Sequence, residues 1–489
     1  MFELTALAKK TDNKKLQFLL LEVDYSELDS LFHPRSIAVI GASAELRGTF
    51  MLRILLEGGF EGRLYPVNRH GGEVLGIKAY TSVKDIPGAL DYAFIHVPAQ
   101  ASIEIIRDCD AKGVRLATLF TAGFGESEAD IGSNLEQELV RTARQSGVRL
   151  LGPNCMGIYH PAEHLSFATG LSAKSGPVGA LCQSGGNSVH LVRAAIQRGI
   201  SWSKVISYGN AADLNEADLM EYFAQDPETK VIIAYIEGAR EGKRFFRALK
   251  AAAQAKPVIV FKGGQSEVGG AAAMCHTGSL SGSKEVWDSL AKQARAIQAY
   301  DIDECVDIAL ALLLVKSPSG RRAAVIGFGG GATVQAADDC SGTGLVLPPL
   351  PEEIKRELKK FTRLAGNIFR NPVDMSDIIN IPPEMGHAVR VVGNWTGIDL
   401  LILHLGVEIG PYSLLDLNVL DALGETLIGA AKEVGKPAAI VAHSICCAEG
   451  YQKVFKLQQM CSEGGLPFYP SIRRAASAIN KVIEYYETR

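Results

Sequence analysis

Several kinds of signal are missing from this sequence. The nine cysteines are scattered, with no CxxC pair and no zinc-like spacing, and the adjacent Cys446 and Cys447 suit neither ordinary disulfide geometry nor a metal site. All nine are expected to be reduced thiols in a cytosolic protein. A charge surplus is absent too. A net charge of -4 leaves no electrostatic case for nucleic acid or an anionic membrane, although local groups can still bind an anionic substrate. The apolar run Ile308–Val315 is too short to span a bilayer. Residues 1–30 are polar and charged, so no secretory signal is expected. No low-complexity tract or short-period repeat occurs.

What remains is the composition of a large globular chain. Hydrophobic residues make up 47% and charged residues 21% of 489 residues, a length that predicts two to four domains. Residues 1–29 read as an extension in which Leu16–Val23 is expected to be helical. From Arg35 the chain alternates short apolar runs with helical segments. Ser36–Ile40 is a predicted strand running into Gly41-Ala-Ser-Ala-Glu-Leu-Arg-Gly48 and a helix over Met51–Glu57. That geometry sets a phosphate against free N–H groups at a helix start, though the full GxGxxG fingerprint is absent. Further predicted strands end at Asn68, at Pro98, at Thr121-Ala-Gly-Phe-Gly-Glu126 and at Gly152-Pro-Asn-Cys155. Runs that are apolar on both faces are the mark of central parallel strands, and ligands bind at their carboxyl ends. Residues 30–155 therefore read as one Rossmann-like domain.

The second α/β region, 156–317, repeats the design. The predicted strand Val178–Cys182 enters Gln183-Ser-Gly-Gly-Asn187 and a helix, without the lysine of a P-loop. Strand Lys230–Tyr235 ends in Ile236-Glu237-Gly238. Strand Pro257–Phe261 leads into a stretch of glycines and small residues that carries one histidine, His276. Lacking bulky side chains, this stretch is expected to be a mobile loop that brings its imidazole to a reaction. Taken alone, an ordinary loop histidine is the plainer reading. The third region, 318–489, opens after the linker Lys316-Ser-Pro-Ser-Gly320 with strand Ala323–Gly327, the turn Phe328-Gly-Gly-Gly331 and a helix.

These pieces suggest phosphoryl chemistry on a histidine. A nucleophilic imidazole needs one neutral ring nitrogen and a partner on the other, which a carboxylate such as Glu237 can provide. The phosphoryl oxygens need donors, and the helix starts at Ser184 and Gly329 can supply them without full charges.

At this point the sequence resembles the α subunits of NDP-forming acyl-CoA synthetases, in the succinyl-CoA ligase superfamily. The resemblance runs from about Ser30 to the C-terminus. It rests on Pro34-Arg-Ser-Ile-Ala-Val-Ile-Gly-Ala-Ser43, Gly152-Pro-Asn154, Gln183-Ser-Gly-Gly-Asn187, Ser207-Tyr-Gly-Asn210, Tyr235-Ile-Glu-Gly238, His276-Thr-Gly278 and Asn371-Pro-Val-Asp374. It implies a CoA-binding Rossmann-like domain followed by two flavodoxin-like ligase domains. The implied reaction interconverts acyl-CoA, ADP and phosphate with carboxylic acid, CoA and ATP, through an acyl phosphate and a phosphohistidine. By the same resemblance His276 is the phosphorylated residue and Glu237 its carboxylate partner. Ser184, Gly185 and Gly186, with Gly329, Gly330 and Gly331, would bind phosphate. Gly41, Ser43, Val67, Asn68, Val97, Pro98 and Asn154 would hold CoA. The third-domain turn reads Gly-Gly-Gly-Ala, where relatives often have Gly-Gly-Pro-Gly. Three α/β regions use up the chain, so Mg²⁺ and ATP or ADP are expected on a separate ATP-grasp β subunit, in a cytoplasmic hetero-oligomer, with a heterotetramer as the family's pattern. No metal site is expected on this chain. Two other readings compete. A CoA-binding regulator without ligase turnover would need neither His276 nor Glu237. An NAD-dependent oxidoreductase would be expected to carry an acidic residue where Asn68 stands.

Overall fold

A computed structural model describes residues 23–45, 48–127, 130–277, 283–315, 318–361, 368–376, 381–405, 419–443 and 448–488. The expected helix over Leu16–Val23 and the Cys446–Cys447 pair fall almost wholly outside these residues. The chain divides into two compact units, one holding 303–489 with 197–199 and the other the rest.

The larger unit contains two parallel sheets. The first runs, in spatial order, Arg63–Val67, Ser36–Ile40, Tyr92–Ile95, Leu116–Leu119 and Arg149–Leu151, all parallel. Alternation sorts the side chains of the central strand: Ile37 and Val39 join one buried cluster, Ala38 and Ile40 another. A strand buried on both faces must be apolar throughout, which is why these segments read as continuous runs. The strand order reverses at Ser36–Ile40, so the crevice between its carboxyl end and that of Tyr92–Ile95 is the switch point where such sheets bind ligands. Gly41 turns the chain there at φ 92°, and a Cβ on it would lie 2.0 Å from the His96 carbonyl oxygen, so only glycine fits.

The second sheet runs Ile297–Ala299, Val258–Lys262, Val231–Ile236, Ser175–Cys182, Trp202–Ser207 and Gly157–Tyr159, with only the last strand antiparallel. Its switch point lies between Ser175–Cys182 and Val231–Ile236, the strands that end at Gln183 and Glu237. One hydrophobic cluster contains Ile37, Val39 and Phe94 of the first sheet together with Leu181, Ile206 and Ile232 of the second. The described part of the N-terminal extension adds to that core. Asp24 caps the helix Tyr25–Ser30, Leu28 and Phe32 are buried, and Tyr25 stacks on Tyr222 at 5.3 Å.

The smaller unit holds the third sheet, in the order Ile368–Phe369, Val373–Asp374, Ala323–Gly327, Leu400–Leu405, Ala438–Ala442 and Phe468–Tyr469. Only the first pair is antiparallel. The closing helix Ile472–Glu487 begins at Ser471, whose hydroxyl accepts from the Arg474 amide at 3.3 Å.

One expectation is corrected. The small-residue stretch after Phe261 is not a loop throughout: Glu267–Thr277 is a helix that includes His276. Ser266 Oγ accepts from the Gly269 amide at 3.0 Å as a cap, and the run Ala271-Ala-Ala273 has the highest helix propensity available, outweighing Gly269 and Gly270. The side chain of His276 and residues 278–282 lie outside the described residues.

Candidate active site

Four segments that follow strands of the larger unit meet around one cleft of about 620 Å³. His96, Val97 and Pro98 come from the end of Tyr92–Ile95, and Phe120, Thr121 and Ala122 from the end of Leu116–Leu119. Asn154, Cys155 and Met156 follow Arg149–Leu151, and Gly185 and Gly186 open the helix Gly185–Gln197 from the second sheet. Asn154 stands at φ 59°, a backbone shape that asparagine tolerates better than most residues. Its amide donates to the Thr121 carbonyl at 3.0 Å, tying two of these segments together.

The helix start is open toward the cleft. Ser184 Oγ accepts from the Asn187 amide at 3.3 Å, while the Gly185 and Gly186 amides have no acceptor among the described residues. A helix N-terminus with two free N–H groups lining an otherwise uncharged cleft favours a bound anion.

Glu237 is connected to this turn through Gln183. The Gln183 side-chain oxygen accepts from the Glu237 amide at 2.7 Å and the Gly238 amide at 3.1 Å, so the two strand ends of the switch point are held as one piece. Glu237 is 5% exposed, and its carboxylate accepts from the Tyr235 hydroxyl at 3.1 Å. A Cβ on Gly263 would lie 2.5 Å from that hydroxyl, so glycine is needed where the strand toward His276 passes. Lys262, on the same strand, donates to the Glu237 carbonyl at 2.7 Å. Burial pulls the Lys262 ammonium down to about 8, with Glu237 opposing the shift.

On the far side of this loop, Glu216 Oε1 accepts from the Arg240 amide at 2.7 Å, and burial raises the Glu216 carboxyl above the ordinary range. Gln183 and Glu216 thus fix both ends of the segment Glu237–Arg240.

The smaller unit has its own glycine turn. Gly329, at φ 98°, precedes the helix Gly330–Gly342. Its amide donates to Asp374 Oδ1 at 3.0 Å and to Ser376 Oγ at 2.7 Å. Gly330 lies beside the same carboxylate, and Gly331 faces open space.

Of the residues expected from the sequence, the cleft gathers Val97, Pro98, Asn154, Gly185 and Gly186, and Ser184 caps its helix. Gly41, Ser43, Val67 and Asn68 sit at the adjoining ends of Ser36–Ile40 and Arg63–Val67 and do not line this cleft. Within that group the Gly41 amide donates to the Val67 carbonyl at 2.9 Å, and Asn68 Oδ1 accepts from the His70 amide at 2.8 Å. Sequence reasoning missed His96, Phe120 and Met156, and it assigned no role to Tyr235 within the Tyr235–Gly238 motif. Tyr235 was accessible, because residues two apart share a strand face and it stands two before Glu237. His96 carried a weaker signal, a lone imidazole at the end of an apolar run. Among the described residues no group of three or more His, Cys, Asp or Glu side chains is placed to hold a metal ion, and no helix is long and apolar enough to cross a membrane.

This construction defines a class: a CoA-binding part joined to a ligase-type flavodoxin part. Residues 35–161 match the CoA binding domain model, and residues 175–312 match the succinyl-CoA ligase like flavodoxin domain model. The I subunit alpha of acetate–CoA ligase (ADP-forming) from Pyrococcus furiosus is 34% identical over 94% of this chain and 97% of its own length. The II subunit alpha of the same organism is 42% identical over 71% and 76%. Among solved structures, the dinucleotide forming acetyl-coenzyme A synthetase 1 of Ca. Korarchaeum cryptofilum, in complex with phosphate and ADP, superposes with a TM-score of 0.80 at 32% identity, covering 94% of this chain and 97% of that one. The chain belongs to the family of ADP-forming acetate–CoA ligase α subunits.

Proposed function

We propose that this chain is the α subunit of an acyl-CoA synthetase that interconverts acyl-CoA, ADP and phosphate with a carboxylic acid, CoA and ATP. The observation that carries the reading is the single cleft joining Val97, Pro98 and Asn154 of the CoA-binding part to the free amides of Gly185 and Gly186. CoA bound along the first sheet would bring its thiol toward an acyl phosphate whose phosphoryl group rests on that helix start. Phosphate would then pass to His276, with Glu237 holding the imidazole tautomer and stabilising positive charge on the ring. Gly41, Ser43, Val67 and Asn68 would hold the more distant part of CoA. Gly329, Gly330 and Gly331 would supply a second phosphate-binding turn. The division into 30–155, 156–317 and 318–489 follows these roles.

Relatives that carry the name subunit alpha support a separate partner. A partner of the ATP-grasp type would bind ADP or ATP with Mg²⁺, in a cytoplasmic hetero-oligomer. The test is phosphorylation. With such a partner, ATP and Mg²⁺, the chain should gain an acid-labile, base-stable phosphate that mass spectrometry places on His276. His276→Ala should abolish the label and all turnover with acetate or 4-hydroxybutyrate, the acids named for relatives. A label elsewhere, or thioester formation by the alanine variant, would refute the mechanism.

A further inference from the structure

The lining of the 620 Å³ cleft contains no charged side chain, yet thioester formation there must remove a proton from a thiol. An alkyl thiol is mostly protonated at neutral pH, and its thiolate is the nucleophile. Few lining groups can take that proton. Thr121 Oγ1 is committed, donating to the Val97 carbonyl at 2.6 Å and accepting from the Val97 amide at 3.2 Å. Cys155 turns its Sγ toward the Leu119 carbonyl at 3.8 Å, and burial pushes its thiol up to about 12, so it stays protonated. Asn154 is not a base.

His96 remains. It directly follows Tyr92–Ile95 at the switch point of the first sheet, next to Val97 and Pro98. Its ring stands edge-to-face against Phe120 at 4.9 Å, and the imidazole has no hydrogen-bond partner among the described residues. The adjoining strands Ser36–Ile40 and Leu116–Leu119 contain no titratable side chain. Burial holds the imidazole below the ordinary histidine range, which keeps it neutral at pH 7 with one ring nitrogen free to accept.

Resting on the ligase reading above, we propose that His96 accepts the CoA thiol proton when the thioester forms and returns it to the departing thiolate in the reverse direction. In the forward step the sulfur attacks the acyl carbon of the acyl phosphate. The C–S bond forms, the C–O bond to phosphorus breaks, phosphate leaves with that electron pair toward the Gly185 and Gly186 amides, and the thiol proton passes to the free nitrogen of His96.

The test compares a step that needs the thiol with one that does not. In the complex with its nucleotide-binding partner, His96→Gln should lower kcat for thioester formation from acid, ATP and CoA by about 10²-fold, the lower end for a positioned base. Hydroxamate formation from acid and ATP, with hydroxylamine in place of CoA, should stay within threefold of wild type. So should CoA affinity by calorimetry. The acid is whichever of acetate and 4-hydroxybutyrate turns over faster. Should glutamine disturb the contact with Phe120, seen as a lower melting temperature, His96→Phe keeps an aromatic edge there without a proton acceptor and must show the same split. A thioester kcat within threefold of wild type overturns the proposal. So does an equal loss in both assays, or a loss confined to CoA affinity. A wild-type complex that makes neither product removes the ligase reading, and the role of His96 with it.

Discussion

Two glycine-rich turns open helices at the carboxyl ends of parallel strands in this chain, one at Ser184–Gly186 and one at Gly329–Gly331, and their surroundings differ. At the first, the capping hydroxyl is neutral and the next two amides face an uncharged cleft. At the second, the first amide is already taken by the buried carboxylate of Asp374, supported by Ser376. A carboxylate at a helix start satisfies the partial positive charge that an incoming anion would use. Strand–glycine–helix geometry therefore makes an anion site possible, and the neighbouring side chains decide how strongly it attracts. The Gly330 and Gly331 amides have no acceptor among the described residues, but an anion at Gly330 must lie close to Asp374.

The sharpest way to break this comparison is to make the first turn resemble the second. A Cβ at Gly186 meets nothing within 4 Å, and a carboxylate in the first turn of a helix is stabilising, so Gly186→Asp should fold with an unchanged or higher melting temperature. It should nevertheless lower thioester-forming turnover by about 10²- to 10³-fold, the range for losing a donor to a developing anion. Wild-type turnover in that variant would show that this helix start does not bind phosphate.

Next in size is Glu237→Gln, which keeps shape and the Gln183 contacts to the backbone but removes the charge. Turnover is expected to fall by about 10²-fold with little change in melting temperature. Equal activity would reduce Glu237 to a structural residue. A smaller change is expected from Asp374→Asn, which keeps an acceptor for the Gly329 amide while removing the repulsion. The KM for phosphate in the ATP-forming direction should fall a few-fold. A rise would mean that the Asp374 charge helps to build the second turn rather than weakening it.

The smallest effect separates the two units by pH. In the smaller unit, burial pushes His404 down to about 3, with the neighbouring His443 adding to the shift. Folding therefore favours its neutral form, so this contribution is complete above about 6.5, the unfolded value, and is lost as pH falls toward 3. In the larger unit His33 has the opposite sign. Contact with Asp29 raises it to about 9 against the effect of burial, with Glu163 at 2.7 Å adding to the rise. Its contribution is complete below about 6.5 and fades as pH rises through 9. Melting curves should show that His404→Gln flattens the acid limb between pH 6.5 and 4, although His160, held near 4 by burial and Lys204, retains part of that limb. His33→Gln should lower the alkaline limb, and it should touch the acid limb only where Asp29, held below the usual carboxylate range in part by His33, takes up its proton. A variant that shifts both limbs alike would contradict these assignments.

The alternation of apolar runs with helical segments was enough to read three parallel sheets, because a strand buried on both faces must be apolar throughout, as Val231–Ile236 is. The glycine turns were legible for a related reason: backbone that bends sharply at a strand end needs residues without Cβ, as Gly41 does beneath the His96 carbonyl. The helix Glu267–Thr277 was misread because glycines and alanines both look like loop residues in composition, while only the alanine run carries helix propensity.

Local sequence thus determined which segments are strands and which turns open helices, and it singled out Ser184, Glu237 and His276 as the candidates for chemistry. Tertiary structure decided the rest. Strand order placed residues far apart in the chain at common switch points, so that Gln183 holds Glu237 and His96 faces the same cleft as Gly185. It also set the Asp374 carboxylate on the Gly329 amide, while among the described residues no carboxylate accepts from the Gly185 or Gly186 amide. Those outcomes depend on which strands become neighbours, and periodicity along a single segment carries no information about its neighbours in space.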